Sequence, residues 1–410
     1  MRIAVFSNSF PVLSETFIIN QIVGLIKLGV EVDIITNEIL PHDVMHSSVK
    51  DYSLLEQVKC IGINSKISRL KKIRLTAFNI MGLIFKGKLE SVLNVVFDKY
   101  LTINQKFNLI SALKVIKNET IKYDNVICHF GVNGYYVCKM RDLGLISGPI
   151  STVFHGFEIS HYATVTRYLP QYKQLFVKGD LMLPISELWE GKLIEWGCEA
   201  LKIKVHRMGI DVNDFELRDS LSTFSLPLKI IQVGRLTEKK AVLDSIKAVA
   251  ISSKEFPVEL NVIGEGELFV QAKDLIESLG AEKYIHLLGQ QPQNVVKQYL
   301  NEADVFLLPS VRSKSGDMEG IPVALMEAMA KGLIVVSTYH SGIPELIENE
   351  ISGYLVKEHD INELVTCLAK IQALPQDKIT EIRISARSIC LEKYNNDTLN
   401  YNVFGLFKAP

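Results

Sequence analysis

Two glutamates, Glu319 and Glu327, bracket most of the string EGIPVALMEAMAKG at 319–332. A carboxylate pair can do two kinds of chemistry. As general acid and base, the two groups would have to face each other across one glycosidic bond, a distance that spacing alone does not give. As hydrogen-bond acceptors, they would hold hydroxyls on either side of a bound anion. The residues between them favour the second use. Pro322 sits where a helix would begin, at a position where a missing N–H costs nothing. The N–H groups of Val323, Ala324 and Leu325 then point out of the helix start with the positive end of its dipole behind them, a ready site for a diphosphate. Glu319 falls just before that start and Glu327 more than one turn inside.

Histidine and a second acid occur at other strand ends. His155 follows an apolar run and precedes Gly156, at the edge of a strand; a lone histidine there is either structural or a site residue. His129 in HFG fits packing beneath a site as well as contact. In the first loop, Glu15 could polarise an acceptor hydroxyl, or the Ser14-Glu15-Thr16 trio could cap the next helix.

Positioning these groups calls for alternating strands and helices. Short apolar runs separated by longer amphipathic stretches are the pattern of βαβ units and parallel sheets. Strands are predicted near Ile3–Phe6, Val32–Thr36, Val126–Cys128, Ile150–Phe154, Leu181–Ile185 and Ile203–His206. The pattern restarts with Leu228–Val233, Val258–Ile263, Ile285–Leu288, Val305–Leu308, Ile334–Ser337 and Gly353–Val356. At 410 residues the chain is too long for one ordinary core. The reading is an α/β protein of two doubly wound domains facing across a cleft: residues 1–210, a linker at 211–227, 228–385, and a helical tail at 386–410 that could return to the first domain. Ligands in such sheets bind outside the carboxyl ends of the strands. The first turn, SNSFPVLSE, has no G-x-G-x-x-G, which sets a Rossmann dehydrogenase aside. The lone Gly264-Glu265-Gly266 is a weak phosphate-loop signal and an ordinary tight turn otherwise.

Composition excludes several classes. A hydrophobic fraction of 48% with 22% charged residues describes a globular chain. No stretch has the run of apolar residues that a membrane span needs, and the polar Ser7-Asn8-Ser9 after the first apolar run argues against a signal peptide. Six scattered cysteines without C-x-x-C fit reduced cytoplasmic thiols and no zinc site. The net charge of −1 is uneven: Lys59 to Lys122 holds 13 bases against Glu90, Asp98 and Glu119. That excess is either a solvated helical face or a surface that rests on anionic lipid. No nucleic-acid motif accompanies it.

The Glu-x7-Glu block, with VVST (335–338), SGIPELI (341–347), VGRLTEKKA (233–241), GEG (264–266) and ADVFLLPS (303–310), closely resembles the retaining GT-B glycosyltransferases of the large family 4 type. In the first half SETFI (14–18), HFG (129–131), FHGFEIS (154–160) and GDLMLPISELW (179–189) look more narrowly like colanic-acid-type exopolysaccharide glycosyltransferases. The resemblance is weakest between about 43 and 122.

That resemblance implies a metal-independent transfer with retention, from a nucleotide-sugar to a lipid-linked glycan in exopolysaccharide or O-antigen synthesis. It implies no cofactor beyond the donor, with UDP-galactose favoured, and a place on the inner face of the cytoplasmic membrane. Glu319 would bind donor-sugar hydroxyls and Glu327 the ribose. Arg235 and Lys240 would hold the diphosphate and neutralise the leaving group, and His155 would reach the donor from across the cleft. Glu15, Gly234, Gly264 and Gly266 would complete the donor site, with Gly320, Ile321, Val323 and Ala324 at the helix start. Ala241 stands where the family has glycine, which makes that loop less free to bend. A non-catalytic glycan or nucleotide scaffold, and a GT-B phosphorylase or epimerase, are the competing readings.

Overall fold

The computed structural model describes residues 1–410 except 13–14, 42–45, 65, 117–119, 218–223, 225 and 409–410. Among the described residues fourteen strands appear in chain order: β1 (Arg2–Phe10), β2 (Glu31–Ile39), β3 (Val58–Cys60), β4 (Ile121–Lys122), β5 (Asn125–His129), β6 (Ile146–Ser147), β7 (Ile150–Phe154), β8 (Leu181–Pro184), β9 (Leu228–Val233), β10 (Val258–Ile263), β11 (Ile285–Leu287), β12 (Val305–Leu307), β13 (Ile334–Thr338) and β14 (Tyr354–Val356). They form two six-stranded sheets, ordered β3-β2-β1-β5-β7-β8 and β11-β10-β9-β12-β13-β14, and a minor β4-β6 pair. Every pairing is parallel. In both large sheets the order in which strands are added reverses beside the first strand, so each has a topological switch point, between β1 and β5 and between β9 and β12. This is the GT-B architecture of two Rossmann-like units.

Strand composition explains the layering. Each central strand is apolar on both faces because helices cover both. Ile230, Val305 and Leu307 pack into one helix layer, while the adjacent Ile231 and Phe306 pack into the other. The first sheet sits in a single large core running from Ile3 to Phe404. That core includes the last helix, Asn396–Lys408, which lies against the first helix, Thr16–Lys27, so closely that a Cβ on Gly24 would fall 2.0 Å from Asn400 Nδ2.

Several elements differ from their sequence expectation. Strand β1 runs through Phe10, pairing Ser9 with Glu38 and Phe10 with Ile39, so Ser7–Phe10 extends the sheet where a loop was expected. Ile203–His206 does not form a full strand; it meets β8 through one bridge, Met182 to Ile203, and edge hydrogen bonds. The segment Val58–Cys60, which carries too few apolar residues to read as a strand, is the edge strand β3. Within 211–227, Val212 and Phe215 are buried against the second sheet's helices.

The basic stretch folds as the helices Arg69–Phe85, Leu89–Val96 and Ile103–Val115. Its apolar residues do not all face inward. Leu70 is 73% exposed, Phe78 64% and Phe85 90%, with Met81 and Phe97 also open to solvent. No helix among the described residues is long and apolar enough to cross a membrane.

Candidate functional site

The second sheet builds one half of the site from three loops at its carboxyl edge. After β9 the chain turns through Gly234 and Arg235 to a short 3-10 turn, Glu238–Lys240. Lys240 Nζ lies 3.2 Å from Glu319 Oε2, and Lys239 Nζ is 3.8 Å from Oε1. Lys239 is also 3.1 Å from Asp317 Oδ2. Glu319 is only 7% exposed. Burial pushes its carboxyl up, but Lys240 and Lys239 outweigh that and hold it below the ordinary carboxylate value, so it is ionised. Its Oε1 is buried without a hydrogen-bond donor among the described residues.

The backbone around Glu319 is fixed from behind. Its N–H donates to His340 Nε2 at 3.2 Å, which makes that nitrogen an acceptor and leaves Nδ1 to bond Glu358 Oε1 at 2.7 Å. Ser341 Oγ donates to the Glu319 carbonyl at 2.6 Å. His340 is fully buried.

Next in the chain the helix Val323–Lys331 begins, one residue later than expected, with Pro322 as its N-cap and not its first helical residue. Leu325 N donates to Pro322 O at 3.1 Å, so that amide is taken. Val323 and Ala324 keep the free N–H groups. Glu327, half-buried one turn on, shares a cavity of about 320 Å³ with Val323, Gln293, Asp214, Thr16 and Phe17. Burial raises its carboxyl to about 7, with Lys297 opposing.

Glycines let these loops approach. Gly264 has φ +142°, and a Cβ there would lie 1.9 Å from the Gly234 carbonyl. A Cβ on Gly266 would lie 2.5 Å from the Leu236 carbonyl, so the GEG turn is packed backbone to backbone on the Arg235 loop. Arg235 itself is exposed and has no ion-pair partner among the described residues. Ala241 adopts φ 47°, ψ 40°, a left-handed conformation that disfavours any residue with a Cβ.

The first sheet supplies the facing half. His155, at the end of β7, is buried, and its Nε2 is 3.2 Å from His129 Nδ1. Its ring also lies against Phe17 and Phe130, at 4.5 and 4.7 Å between centroids. Burial, with nearby His206, lowers His155 to about 3, so the imidazole is neutral. His129 is wholly buried beneath it. Glu158 accepts the His155 N–H at 2.6 Å, and burial raises its carboxyl to about 7. Glu15 is the N-cap residue of Thr16–Lys27 but makes no side-chain cap bond; burial raises its pKa, with the Ser7 hydroxyl opposing. Ser14 lies outside the described residues.

The halves touch at the Glu319 loop. A Cβ on Gly156 would come within 2.9 Å of Gly320 N. Met318 N donates to Ser160 Oγ at 3.0 Å, and Tyr162 N to Ser315 O at 3.0 Å. Gly320 would meet Ile185 at 2.5 Å, and Ile321 is buried. The fold therefore gathers Lys239, Lys240, Asp317 and Glu319 into one charged cluster, sets Gly234 against Lys240, leaves Arg235 exposed on the same loop, and places His155 across the cleft. Val323 and Glu327 line an adjoining cavity with the first helix.

The model of the family Glycosyl transferases group 1 matches residues 213–387. Over 411 aligned residues the chain is 38% identical to WcaL of Salmonella typhimurium, named as a colanic acid biosynthesis glycosyltransferase, with 100% of both chains covered. The chain belongs to the group 1 glycosyltransferases.

A second relative of this glycosyltransferase is the Escherichia coli UDP-Gal:alpha-D-GlcNAc-diphosphoundecaprenol alpha-1,3-galactosyltransferase, 28% identical over 293 residues that cover 67% of this chain and 72% of the relative. Among solved structures, HepE of Anabaena in complex with UDP and glucose superposes with a TM-score of 0.71 at 16% identity, covering 100% of both chains. That likeness is one of fold.

Sequence reading missed Lys239, Asp317 and His340 around Glu319. Lys239 reads as a surface base from its neighbours; the structure corrects this, with its side chain 14% exposed and paired to Asp317. The sequence shows only the KK pair, since the Asp317 partner lies 78 residues away. His340 stands immediately before SGIPELI, and only the β13 loop's return under Glu319 reveals it.

Proposed function

We propose that this glycosyltransferase moves a hexose with retention of anomeric configuration, galactose from UDP-galactose being favoured, to a lipid-linked oligosaccharide in exopolysaccharide or O-antigen synthesis, without a metal. The observation that carries the reading is the buried, ionised Glu319: one oxygen is held by Lys240 and the other lacks a donor. A buried acceptor without a donor is costly, and a sugar hydroxyl would satisfy it. The relatives named for colanic acid synthesis and for a diphosphoundecaprenol-linked acceptor support the substrate class.

In this reading the acceptor oxygen attacks the anomeric carbon on the face from which the diphosphate departs. The carbon–oxygen bond to phosphate breaks, and the acceptor proton passes to the departing phosphate oxygen. Lys240, Arg235 and the Val323 and Ala324 amides take up the charge that gathers on the leaving group. His155, kept neutral, serves as a hydrogen-bond partner and not as an acid. Glu327 holds the ribose. Catalysis rests on orientation and fixed charge. The exposed Leu70, Phe78 and Phe85 among Lys71, Lys72 and Arg74 support docking of the acceptor-side domain on an anionic membrane face.

Thermal shift across UDP- and GDP-sugars tests the donor, with UDP-galactose expected to stabilise most. Nuclear magnetic resonance of the product gives the anomer. Loss of turnover with chelator, or an inverted product, would refute the mechanism.

A further inference from the structure

Away from the charged cluster, an open cavity of about 830 Å³ lies where the helices Arg69–Phe85, Ile103–Val115 and Tyr162–Lys178 converge. Arg69, Lys72 and Arg167 line it, together with the apolar side chains of Ile67, Ile103 and Phe107. The three helices contain nine basic residues and no acidic one. The carboxylate nearest in sequence, Asp98, is committed elsewhere: it meets Lys139 Nζ at 3.0 Å and the Tyr135 hydroxyl at 2.9 Å, and accepts from the amides of Tyr100 and Leu101. Arg69, Lys72 and Arg167 have no ion-pair partner among the described residues. The helix ends give the cavity little: the Thr102–Gln105 capping box and Ser68 Oγ occupy amides of the first turns. The anion-binding capacity therefore sits in the side chains.

Two further features define the ligand. The exposed Ile103 lines the cavity, and the exposed Leu70 follows the lining residue Arg69 directly in the chain, so its ligand has a lipid part at one side. On its other side the helix that carries Arg167 leads to the second half of the molecule. The helix carrying Arg167 begins at Tyr162, which bonds Ser315 across the cleft at 3.0 Å. Five residues of helix place Arg167 about 7.5 Å along from that contact, a separation on the scale of a short glycan.

We infer that this pocket holds the diphosphate that joins the acceptor glycan to its lipid. The inference rests on the lipid-linked acceptor reading above. Arg69 and Arg167 present forked donors suited to phosphate oxygens, Lys72 adds a point charge, and the lipid leaves over the Leu70 surface.

The test is calorimetric titration of farnesyl diphosphate into the full chain, with inorganic pyrophosphate, farnesol and phosphatidylglycerol vesicles as separate arms. Farnesyl diphosphate should bind, and Arg69→Gln with Arg167→Gln should weaken it at least 10-fold while Arg235→Ala leaves it within about threefold. Farnesol should not bind. Arg69→Lys with Arg167→Lys, which keeps the charge, should recover part of the affinity; an unchanged unfolding midpoint shows that either double variant is folded. The inference is overturned if the Gln variants bind farnesyl diphosphate like wild type, if Arg235→Ala alone abolishes binding, or if the Gln variants lose only vesicle binding, which would assign the pocket to a phospholipid headgroup. Thermal shift by nucleotide-sugars reads the donor site independently, so failure of the broader function is seen separately.

Discussion

At the level of single residues, the two glutamates of the block live in opposite electrostatic settings. Glu319 is held ionised by Lys240 and Lys239, whereas burial lifts Glu327 to about 7. Glu319→Ala should lower kcat on the order of 100-fold while nucleotide affinity stays within about threefold, since removing a fixed acceptor from a water-poor site acts on the transition state more than on the nucleotide. A Kd for UDP that rises as much as kcat falls would place Glu319 on the nucleotide instead. Glu327 sets a pH dependence. Ribose hydroxyls donate to a carboxylate, so binding favours the deprotonated form, and nucleotide affinity should rise as pH climbs through about 7. The same raised pKa means that Glu327 favours the free fold below its unfolded value near 4.5 and that this contribution is lost as pH rises through 7. Titration calorimetry from pH 6 to 8 on wild type and Glu327→Gln checks this, the variant being expected flat. The block around these residues was legible because a proline, a helix pattern and two acids fall within one short string. Lys239 and His340 were not, because their roles depend on how β9, β12 and β13 order side by side.

At the level of elements, the βαβ rhythm gave the parallel sheets, since apolar runs bounded by polar helices have few other solutions. It misjudged edges. Ile203–His206 is β-branched enough to read as a strand, yet it meets β8 through a single bridge at Ile203 and edge hydrogen bonds from Lys204 and His206. The contact between the His155 loop and the Glu319 loop could not be read at all, because it joins the two sheets. That contact makes Gly156 a sharp probe. Its φ is −71°, so alanine is not strained there, but the added Cβ meets Gly320 N at 2.9 Å and the Glu319 carbonyl carbon at 3.1 Å. Gly156→Ala should therefore cost about 1–3 kcal/mol and raise the donor KM by roughly 10-fold, by separating His155 from Glu319. Steady-state kinetics beside thermal unfolding distinguishes this from a simple folding defect. Ala241 offers the reverse case: at φ 47°, Ala241→Gly should stabilise by up to about 1 kcal/mol, read from the unfolding midpoint.

Across the whole molecule, Glu345 ties the halves together. Its Oε1 accepts from Glu187 N at 2.8 Å and Leu188 N at 3.3 Å, its Oε2 pairs with Arg207 at 2.8 Å, and its carbonyl accepts from the Tyr394 hydroxyl at 3.0 Å. Glu345→Ala strands Arg207 with only Glu187 and two open amides, and should cost about 2–3 kcal/mol; an unchanged unfolding midpoint would show the latch to be idle. Nearby, the chain crosses between the halves twice. Ile210 on the outgoing segment bridges Asn395 on the returning one, with Ile210 N to Tyr394 O and Asn396 N to Ile210 O both at 2.9 Å. A single tether would act as a swivel. Two tethers laced side by side act as the spine of a book: the halves can open and shut about one line, and they cannot rotate past each other. Each closing stroke must then return His155 to the same place over Glu319, so accuracy at the reacting atoms comes from the binding of the pages and not from the cleft itself.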